Sequence, residues 1–319
     1  MEIYRTLEGL PRDSENVLTV GTFDGIHLGH RFILEELVRL AHSNHGVATV
    51  VTFDPHPKQI VAQENGQPVQ LLTTIEEKIP LLRQLHIQKL VILPFTKEFS
   101  QLGAEAFVRS ILVDRVGMKG VVVGYDHAFG RNREGGLKTL QGIASESAFE
   151  VLQLDELTAD GAHVSSTQIR QHLKKGQIGE ANALLGYEYS VIGKVVRGDG
   201  RGKTLGFPTA NLYISESAKL LPANGVYAVK AQVGMDTFSG MANIGTRPTF
   251  DGDRIVFEVH LFAFDDDIYD HELRISFREK IRNEVKFGSV EQLIRQLEND
   301  KMQTKQLFSH TQNAILWSH

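Results

Sequence analysis

The chain has 319 residues, 41% of them apolar and 23% charged, which is an ordinary globular composition, and this length predicts about two domains. The absence of cysteine excludes disulfides, thiolate metal sites and cysteine nucleophiles, and the net charge of −5 argues against broad nucleic-acid binding. Neither a secretory signal nor an apolar run of the roughly 20 residues that a membrane helix needs is visible, so we expect a cytoplasmic protein.

The sequence up to residue 186 alternates short β-branched runs with helical patterns. In chain order these are VLTV, HRFILEELVRLA, VATVVTF, TIEEKIPLLRQL, KLVIL, AEAFVRSILVDRV and GVVVG, followed by a further helix. Such alternation predicts βαβ units and a doubly wound, Rossmann-like parallel sheet. Thr74 and Glu77 have the spacing of a capping box. In the first helix, apolar residues recur at i, i+4, i+7 and i+8 and predict one buried stripe, formed by Ile33, Leu37, Leu40 and Ala41.

After Gly186 the pattern changes to strand-like runs without helices between them. The runs are VIGKVV, GVYAVKAQV, FSGMANI, IVFEVHLFAF and LRISF, separated by Gly, Asp and Pro turns. Strands with turns at such spacing predict an antiparallel β-barrel, and a last helix, about Ser289 to Phe308, is expected to pack on it. We therefore predict domains at 1–186 and 187–319.

The first motif lies at the predicted strand-to-helix junction, where GTFDGIHLGH spans Gly21 to His30. In open α/β sheets ligands bind at the carboxyl ends of the strands, and a helix N-terminus favours a phosphate. Two imidazoles, His27 and His30, can donate hydrogen bonds to a phosphate that gains charge, while Gly29 permits close approach. The junction therefore predicts a site for a nucleoside triphosphate, and we include Gly21 and Phe23 among its phosphate-binding residues.

A second phosphate element is HVSSTQIR, from His163 to Arg170. Hydroxyls at a helix start, here Ser166 and Thr167, together with first-turn amides and Arg170 form an anion cradle. Taken alone, the same pattern fits a plain helix cap with a surface arginine.

These two elements together resemble the nucleotidyltransferase family that carries an HxGH signature and a later SST-x-IR signature. The resemblance implies that the histidines, serine and arginine contact ATP phosphates, and that a substrate attacks the α-phosphate with loss of pyrophosphate. TFDPHP and VVVGYDHAFGRNREGG further resemble loops of bacterial FMN adenylyltransferase domains. This resemblance implies that the flavin end is held by Phe53, Asp54, His56, Asp126 and Phe129.

One residue departs from the family pattern, because many relatives carry an aromatic residue where His127 stands. This departure affects the stacking role that the family pattern implies at position 127, and it leaves the implied reaction class unchanged. An FMN phosphate is already anionic at neutral pH, so this half needs positioning and charge neutralisation rather than a general base.

The second half contains its own phosphate motif, GDGRGKTLGFPTANL, from Gly198 to Leu212. Closely spaced glycines let backbone amides surround an anion, and we include Gly202 and Lys203 in the phosphate site. Thr209 and Asn211 offer hard oxygens two residues apart, which suit Mg²⁺ or a similar divalent cation.

The string resembles the G-x-PTAN signature of riboflavin kinases, and the segment EVHLFAFDDDIYDHELRISFREKIRNEVKF resembles that family's next segment. Phosphorylating a neutral ribityl hydroxyl requires a base, and a carboxylate ionised at pH 7 can accept the proton. The resemblance implies that Glu258 is this base and that Arg282 borders the flavin.

Both signatures in one chain resemble the bacterial bifunctional riboflavin kinase and FAD synthetase family. The resemblance implies that riboflavin, FMN and ATP are the substrates, and we expect no nucleic-acid or membrane partner and at most weak self-association. Three alternatives stay open: an HxGH transferase for another coenzyme, a class I aminoacyl-tRNA synthetase, and a flavin-binding sensor without catalysis. The transferase would leave the PTAN segment unused, the synthetase fits the net charge poorly, and a sensor need not keep groups that serve only turnover.

Overall fold

The computed structural model describes residues 1–61, 69–125, 127–155, 158–159, 162–198, 200–249 and 252–315. Its contacts divide the chain into two compact units, Met1–Ser166 and Thr167–His319. This division places 167–186 in the second unit, whereas the functional boundary after residue 186 stays a prediction. Among the described residues, no helix is long and apolar enough to cross a membrane.

The first unit is built on a six-stranded sheet in which every neighbouring pair is parallel, as predicted. Its strands are β1 (Glu2–Tyr4), β2 (Asn16–Val20), β3 (Val47–Asp54), β4 (Lys89–Pro94), β5 (Gly120–Val123) and β6 (Glu150–Gln153). The order is β1-β4-β3-β2-β5-β6, so the chain moves to one side of β2 and then returns to the other. The carboxyl end of β2 therefore lies at the switch point, where such sheets bind ligands.

Helices cover both faces of this sheet. They are α1 (Leu28–Ser43), α2 (Pro57–Val61), α3 (Ile75–Gln84), α4 (Lys97–Ser100), α5 (Ala104–Ala106), a π-helix (Phe107–Val116), a 3-10 turn (Arg131–Arg133) and α6 (Leu137–Ser147). Consecutive strand residues enter different cores, since Val17 and Val50 pack with α1 and α3 while Leu18 and Val51 pack with the π-helix and α6. A small antiparallel pair, β7 (Thr158–Ala159) and β8 (Ala162–His163), precedes the second unit.

Three local predictions meet different outcomes. The capping box is confirmed, because the Thr74 hydroxyl accepts from Glu77 N and the Glu77 carboxylate accepts from Thr74 N. The predicted stripe of α1 is partly wrong: Leu34, Leu37 and Ala41 are buried against the sheet, whereas Ile33 and Leu40 border that stripe half-buried. The predicted helix 104–116 is helical but mostly of π type.

The second unit contains a closed six-stranded antiparallel barrel, as predicted, with order β10-β13-β12-β11-β14-β9. Its strands are β9 (Ser190–Val196), β10 (Ala210–Tyr213), β11 (Gly225–Val233), β12 (Asp236–Thr249), β13 (Gly252–Leu261) and β14 (Glu272–Arg282). Its helices are α7 (Ser166–Lys175), which begins on the last residue of the first unit, α8 (Ile178–Leu185), α9 (Arg201–Thr204) and α10 (Val290–Ile315).

Aromatic rings fill the barrel, and the long last helix covers part of its outside. The Phe257 and Phe277 rings stack 5.9 Å apart although β13 and β14 are not neighbours, so they meet across the interior. On the outer face Phe207, Met241 and Phe262 form an apolar cluster with Leu297 of α10. The predicted packing of the last helix on the barrel is therefore confirmed.

Candidate functional site

The turn between β2 and α1 ends in a histidine that caps the helix. His27 has an extended backbone, and its Nδ1 accepts a hydrogen bond from the backbone N–H of His30 at 3.4 Å. Because Nδ1 acts as an acceptor, it carries no proton, and the ring hydrogen of His27 lies on Nε2. The rings of His27 and His30 stack with centroids 3.7 Å apart, so the structure brings the two predicted histidines together.

The backbone of this turn is strained. Phe23 and Ile26 have φ angles of 44° and 37°, which bulky and β-branched residues rarely adopt, and both are buried. Such a conformation costs on the order of 1–3 kcal/mol per residue and persists only where the surroundings enforce it. Here Asp24 enforces it, since its carboxylate accepts the backbone N–H groups of Leu72 and Thr73 at 2.9 and 3.0 Å. The turn is therefore held in shape before any ligand arrives.

His30 keeps one ring nitrogen without a protein partner. Its Nδ1 is enclosed and has no hydrogen-bond partner among the described residues, and the Phe23 ring meets the imidazole edge-on at 5.3 Å. Burial lowers the pKa of His30 well below its usual value, and the neighbouring His27 and Lys78 lower it further. His30 is therefore a neutral imidazole near pH 7.

Lys78 is a buried cation beside this turn that the sequence motifs did not indicate. Its side chain is 4% exposed, and its Nζ donates to the carbonyl oxygen of Thr22 at 2.7 Å. Burial lowers the pKa of Lys78, while the carboxylates of Asp24 and Asp54 favour its charged form. The available signal was its place on the buried face of α3, beside Ile75 and Leu82.

The second phosphate element starts at the junction of the two units. The hydroxyl of Ser166, the last residue of the first unit, donates to the carbonyl oxygen of Asp24 at 2.9 Å, so Ser166 is held against the histidine-bearing turn of the same unit. Thr167 is exposed and Arg170 is half-buried on α7, and both belong to the second unit.

Two of the predicted flavin residues meet at one aromatic cluster. Phe53, in β3, lies 6.4 Å from the ring of Phe107, and Phe129 lies 6.1 Å from the same ring. The His127 ring packs on Phe129 at 5.6 Å, so the residue that departs from the family pattern extends the cluster.

The remaining predicted flavin residues of the first unit differ in exposure. Asp54 is exposed at the end of β3, whereas His56 is buried and its Nδ1 accepts the backbone N–H of Lys58 at 3.1 Å. Asp126 lies outside the described residues.

In the second unit, the glycine-rich loop packs directly on the PTAN segment. A Cβ on Gly198 would lie 2.1 Å from Nδ2 of Asn211, and a Cβ on Gly202 would lie 2.4 Å from the carbonyl oxygen of Phe207. Phe207 N also donates to the Gly202 carbonyl at 2.9 Å. Lys203 is exposed on α9. Glycine is therefore required at position 202, where the neighbour is backbone, whereas a side chain at position 198 would displace the Asn211 amide.

Glu258 lies between two asparagines. In the barrel register it is paired with Asn211 of β10 on one side and with Asn243 of β12 on the other. Directly paired residues of neighbouring strands point to the same face, so the carboxylate is flanked by two amides. Asn243 was not indicated by the sequence motifs, although it stands out as a polar residue within the apolar run FSGMANI.

The donor set around Asn211 fits a hard divalent cation that also binds a phosphate. In the part of the chain that the structure describes, no three His, Cys, Asp or Glu side chains group as a metal site. Mg²⁺ in nucleotide sites characteristically takes few protein oxygens and completes its shell with phosphate oxygens and water. The Thr209 hydroxyl and the Asn211 amide carry oxygens of this kind, and the missing side chain at Gly198 leaves room for the Asn211 amide.

Arg282, predicted at the flavin end, is held by the last helix. Its Nε and Nη2 donate to both carboxylate oxygens of Asp300 at 2.9 to 3.0 Å, and Asp300 is fully buried. Gln296 donates to the same carboxylate at 2.8 Å. The guanidinium thus fixes α10 to the end of β14, and its contact with flavin stays a prediction.

Comparisons with known proteins match both halves. The FAD synthetase family matches residues 10–168, and the riboflavin kinase family matches residues 185–308. The bifunctional riboflavin kinase/FMN adenylyltransferase of Listeria monocytogenes is 39% identical over 298 residues, which cover 93% of this chain and 94% of that protein. The protein of the same name from Escherichia coli K12 is 34% identical over 98% of this chain and 100% of its own length. A solved Streptococcus pneumoniae structure, titled as a macrolide-efflux protein, matches with a TM-score of 0.85 and 31% identity over 95% of this chain and 98% of that one.

Proposed function

The chain belongs to the family of bifunctional riboflavin kinase/FMN adenylyltransferases, and we propose that its two units perform the two successive reactions that this name describes. The barrel phosphorylates riboflavin with ATP to give FMN and ADP. The parallel-sheet unit, completed by the SST-x-IR segment, joins FMN to the AMP part of ATP and releases pyrophosphate.

In the kinase reaction Glu258 is the general base. A ribityl hydroxyl must lose its proton as its oxygen attacks the γ-phosphorus, and an ionised carboxylate within hydrogen-bond reach accepts that proton. The flanking Asn211 and Asn243 restrict where the carboxylate can lie. Gly202 and Lys203 belong to the loop that would contact the phosphates of ATP.

Thr209 and Asn211 would hold Mg²⁺ in this unit. When bound, the cation neutralises phosphate charge as it moves to the leaving ADP. The protein's own contribution is the close packing of the glycine loop on the PTAN segment, which fixes the two oxygens relative to each other.

In the adenylyl transfer no group needs to remove a proton. The FMN phosphate attacks the α-phosphorus as an anion, so the protein must position the two substrates and stabilise the charge on the α-phosphate. The N-terminus of α1, with Gly29 in its first turn, the Nε2–H of His27 and the neutral imidazole of His30 would supply the donors. Ser166, Thr167 and Arg170 would contact the other phosphates, and Gly21 and Phe23 shape the turn.

The isoalloxazine end of FMN is proposed to lie at the aromatic cluster of the first unit. Phe53 and Phe129, in the aromatic cluster around Phe107, have apolar ring faces that suit stacking with an isoalloxazine ring. Asp54, His56 and Asp126 are proposed at the same end of FMN, and Arg282 is proposed near riboflavin in the barrel.

One observation carries the proposal: a single chain holds a histidine-capped turn at a sheet switch point and a glutamate paired with the PTAN asparagine in a separate barrel. The test incubates the purified protein with ATP, Mg²⁺ and either riboflavin or FMN, and separates the flavins by chromatography. We expect Glu258→Gln to abolish FMN formation and still convert supplied FMN into FAD, and His30→Ala to accumulate FMN.

A matched control is Glu279→Gln, which alters an exposed glutamate of β14 and should leave both reactions unchanged. Loss of both reactions in a folded Glu258→Gln protein would refute the division of labour between the units.

The proposed setting is the cytoplasm, in line with a chain that has no cysteine and so does not depend on disulfides, which form in oxidising compartments. We expect no nucleic-acid partner and at most weak self-association. Sedimentation at several protein concentrations, with and without added oligonucleotide, checks both expectations.

A further inference from the structure

His260 is a buried histidine near the proposed kinase site that no step so far uses. It follows Glu258 by two residues on β13, so both side chains lie on the same face of the strand. The residue is 6% exposed, and its Nδ1 lies 2.7 Å from the carbonyl oxygen of Pro208. A carbonyl oxygen only accepts, so Nδ1 carries the hydrogen and donates it.

This hydrogen bond continues the pairing of two strands beyond the end of their backbone ladder. β10 and β13 are paired at Asn211 with Glu258 and at Ala210 with Val259, so the next pair in that register would be Thr209 with His260. Pro208 has no backbone N–H, so it cannot donate a ladder hydrogen bond to β13, and its carbonyl oxygen is the one backbone hydrogen-bonding group that it keeps. The imidazole donates to that oxygen and holds the chain just before Thr209.

The ring that makes this contact is itself fixed. Phe207 meets it edge-on at 5.3 Å and Phe262 at 5.6 Å. The ammonium of Lys301, on α10, lies over both of those phenyl rings at 5.7 and 5.6 Å.

Within the described ranges, the other ring nitrogen of His260 makes no contact that would explain a histidine at this position. Nε2 of His260 is buried and has no hydrogen-bond partner among the described residues. An unsatisfied buried polar atom is unfavourable, and an apolar side chain of similar size would fill this space without that cost. The hydrogen bond from Nδ1 to Pro208 is therefore what a histidine provides here and an apolar side chain would not.

We propose that His260 is a positioning residue for riboflavin phosphorylation, which acts through the Pro208 carbonyl to keep Thr209 and Asn211 opposite Glu258. The inference rests on the proposed kinase function. Small displacements of binding groups reduce rates strongly, since a shift of about 1 Å can cost about a hundredfold.

The test compares two amide variants of equal polarity. His260→Asn places an amide nitrogen near the position of Nδ1, whereas His260→Gln places it near the position of Nε2. We expect the Asn variant to keep most of the wild-type kcat for FMN formation and the Gln variant to lose about tenfold to a hundredfold. FMN adenylylation by the same proteins should stay at the wild-type rate, which shows that they are folded and active.

A second readout follows the segment itself. Hydrogen exchange of peptides spanning 207–213 should be faster in the Gln variant than in the wild type, and unchanged in the Asn variant. Equal kinase rates and equal exchange in the two variants would overturn the inference. If the wild type forms no FMN, the proposed function fails instead, and the exchange comparison still decides whether His260 holds the segment.

Discussion

The stacked imidazoles of His27 and His30 favour neutral rings, because two positive charges 3.7 Å apart in a partly desolvated turn repel each other. Lys78 adds a third basic group nearby, and its charge also lowers the pKa of His30. Neutral donors suit the proposed chemistry, since a neutral imidazole N–H stabilises an anionic phosphate by a hydrogen bond, whereas a protonated ring could transfer its proton to the attacking FMN phosphate.

This arrangement predicts a pH dependence of stability. The folded-state pKa of His30 lies below the usual value of 6.5, so the unfolded chain binds the proton first as the pH falls. The stabilising contribution is complete above pH 6.5 and is lost as the pH falls from there through the folded pKa, by at most about 1.4 kcal/mol per pH unit. Thermal unfolding midpoints of wild type and His30→Gln, measured between about pH 7 and pH 5, should converge at acid pH. A constant difference across this range would contradict the assignment.

Lys78 provides the second prediction at this scale. Lys78→Met removes the hydrogen bond to the Thr22 carbonyl, and a bond from a charged donor is worth about 1.5–3 kcal/mol. We expect FMN adenylylation to fall about tenfold or more while riboflavin phosphorylation is retained. Lys138→Met, on the exposed surface of α6, is the control. Wild-type adenylylation in Lys78→Met would show that the turn keeps its shape without this contact.

Motifs in the sequence indicate candidate residues where the marking is local, and the roles of these residues stay predictions. His27, His30, Asn211 and Glu258 belong to recognisable strings, but Lys78 acquires its role from a carbonyl 56 positions away. No local pattern reports such a pairing, because the fold alone brings α3 beside the turn after β2.

At the scale of elements, the glycine-rich loop and the PTAN segment behave as one packed piece of backbone. Gly202 approaches Phe207 so closely that an added methyl group would meet a carbonyl oxygen at 2.4 Å. A carbonyl cannot move aside as a flexible side-chain end can, so the strain must pass into the segment that carries Thr209.

Gly202→Ala should therefore reduce riboflavin phosphorylation at least tenfold, with a destabilisation of about 1–3 kcal/mol from overpacking. Adenylylation should be unaffected. Gly142→Ala is the matched control, since a Cβ there meets nothing within 4 Å in α6. Enzyme assays and thermal unfolding of both variants check this, and full kinase activity in Gly202→Ala would be inconsistent with the packing described.

Element types were predictable where the hydrophobic period was clear, as in the alternating first half and the run of strands that closes the barrel. The helix at Phe107–Val116 was predictable but its π type was not, because the hydrophobic pattern of so short a segment does not separate a π-helix from an α-helix. The short strands β1, β6 and β10 mix polar and apolar residues over three or four positions and offer too little pattern to detect, whereas the equally short β5 is a continuous apolar run.

At the scale of the whole molecule, the two proposed chemistries are carried by different groups. Glu258 and Asn211 lie in the barrel, whereas His27 and His30 lie in the parallel-sheet unit. A substitution in one group should leave the other reaction intact. Two protein molecules can then supply one reaction each, provided that FMN leaves the first molecule and enters the second.

Mixing Glu258→Gln and His30→Ala proteins should accordingly restore FAD formation from riboflavin, although each variant alone makes none. The measurement is the time course of FAD after adding ATP, Mg²⁺ and riboflavin, with each variant alone as control. A mixture that accumulates FMN without FAD would show that the intermediate does not reach a second molecule.

The hydroxyl of Ser166 belongs to the last residue of one compact unit and the first residue of the next helix, and it is bonded to the turn that carries the histidines. A division of the gene between the two compact units would separate Ser166 from Thr167 and Arg170. It would therefore split the SST-x-IR signature between two fragments. An independent adenylylating fragment should instead be extended to the end of α8 at Leu185.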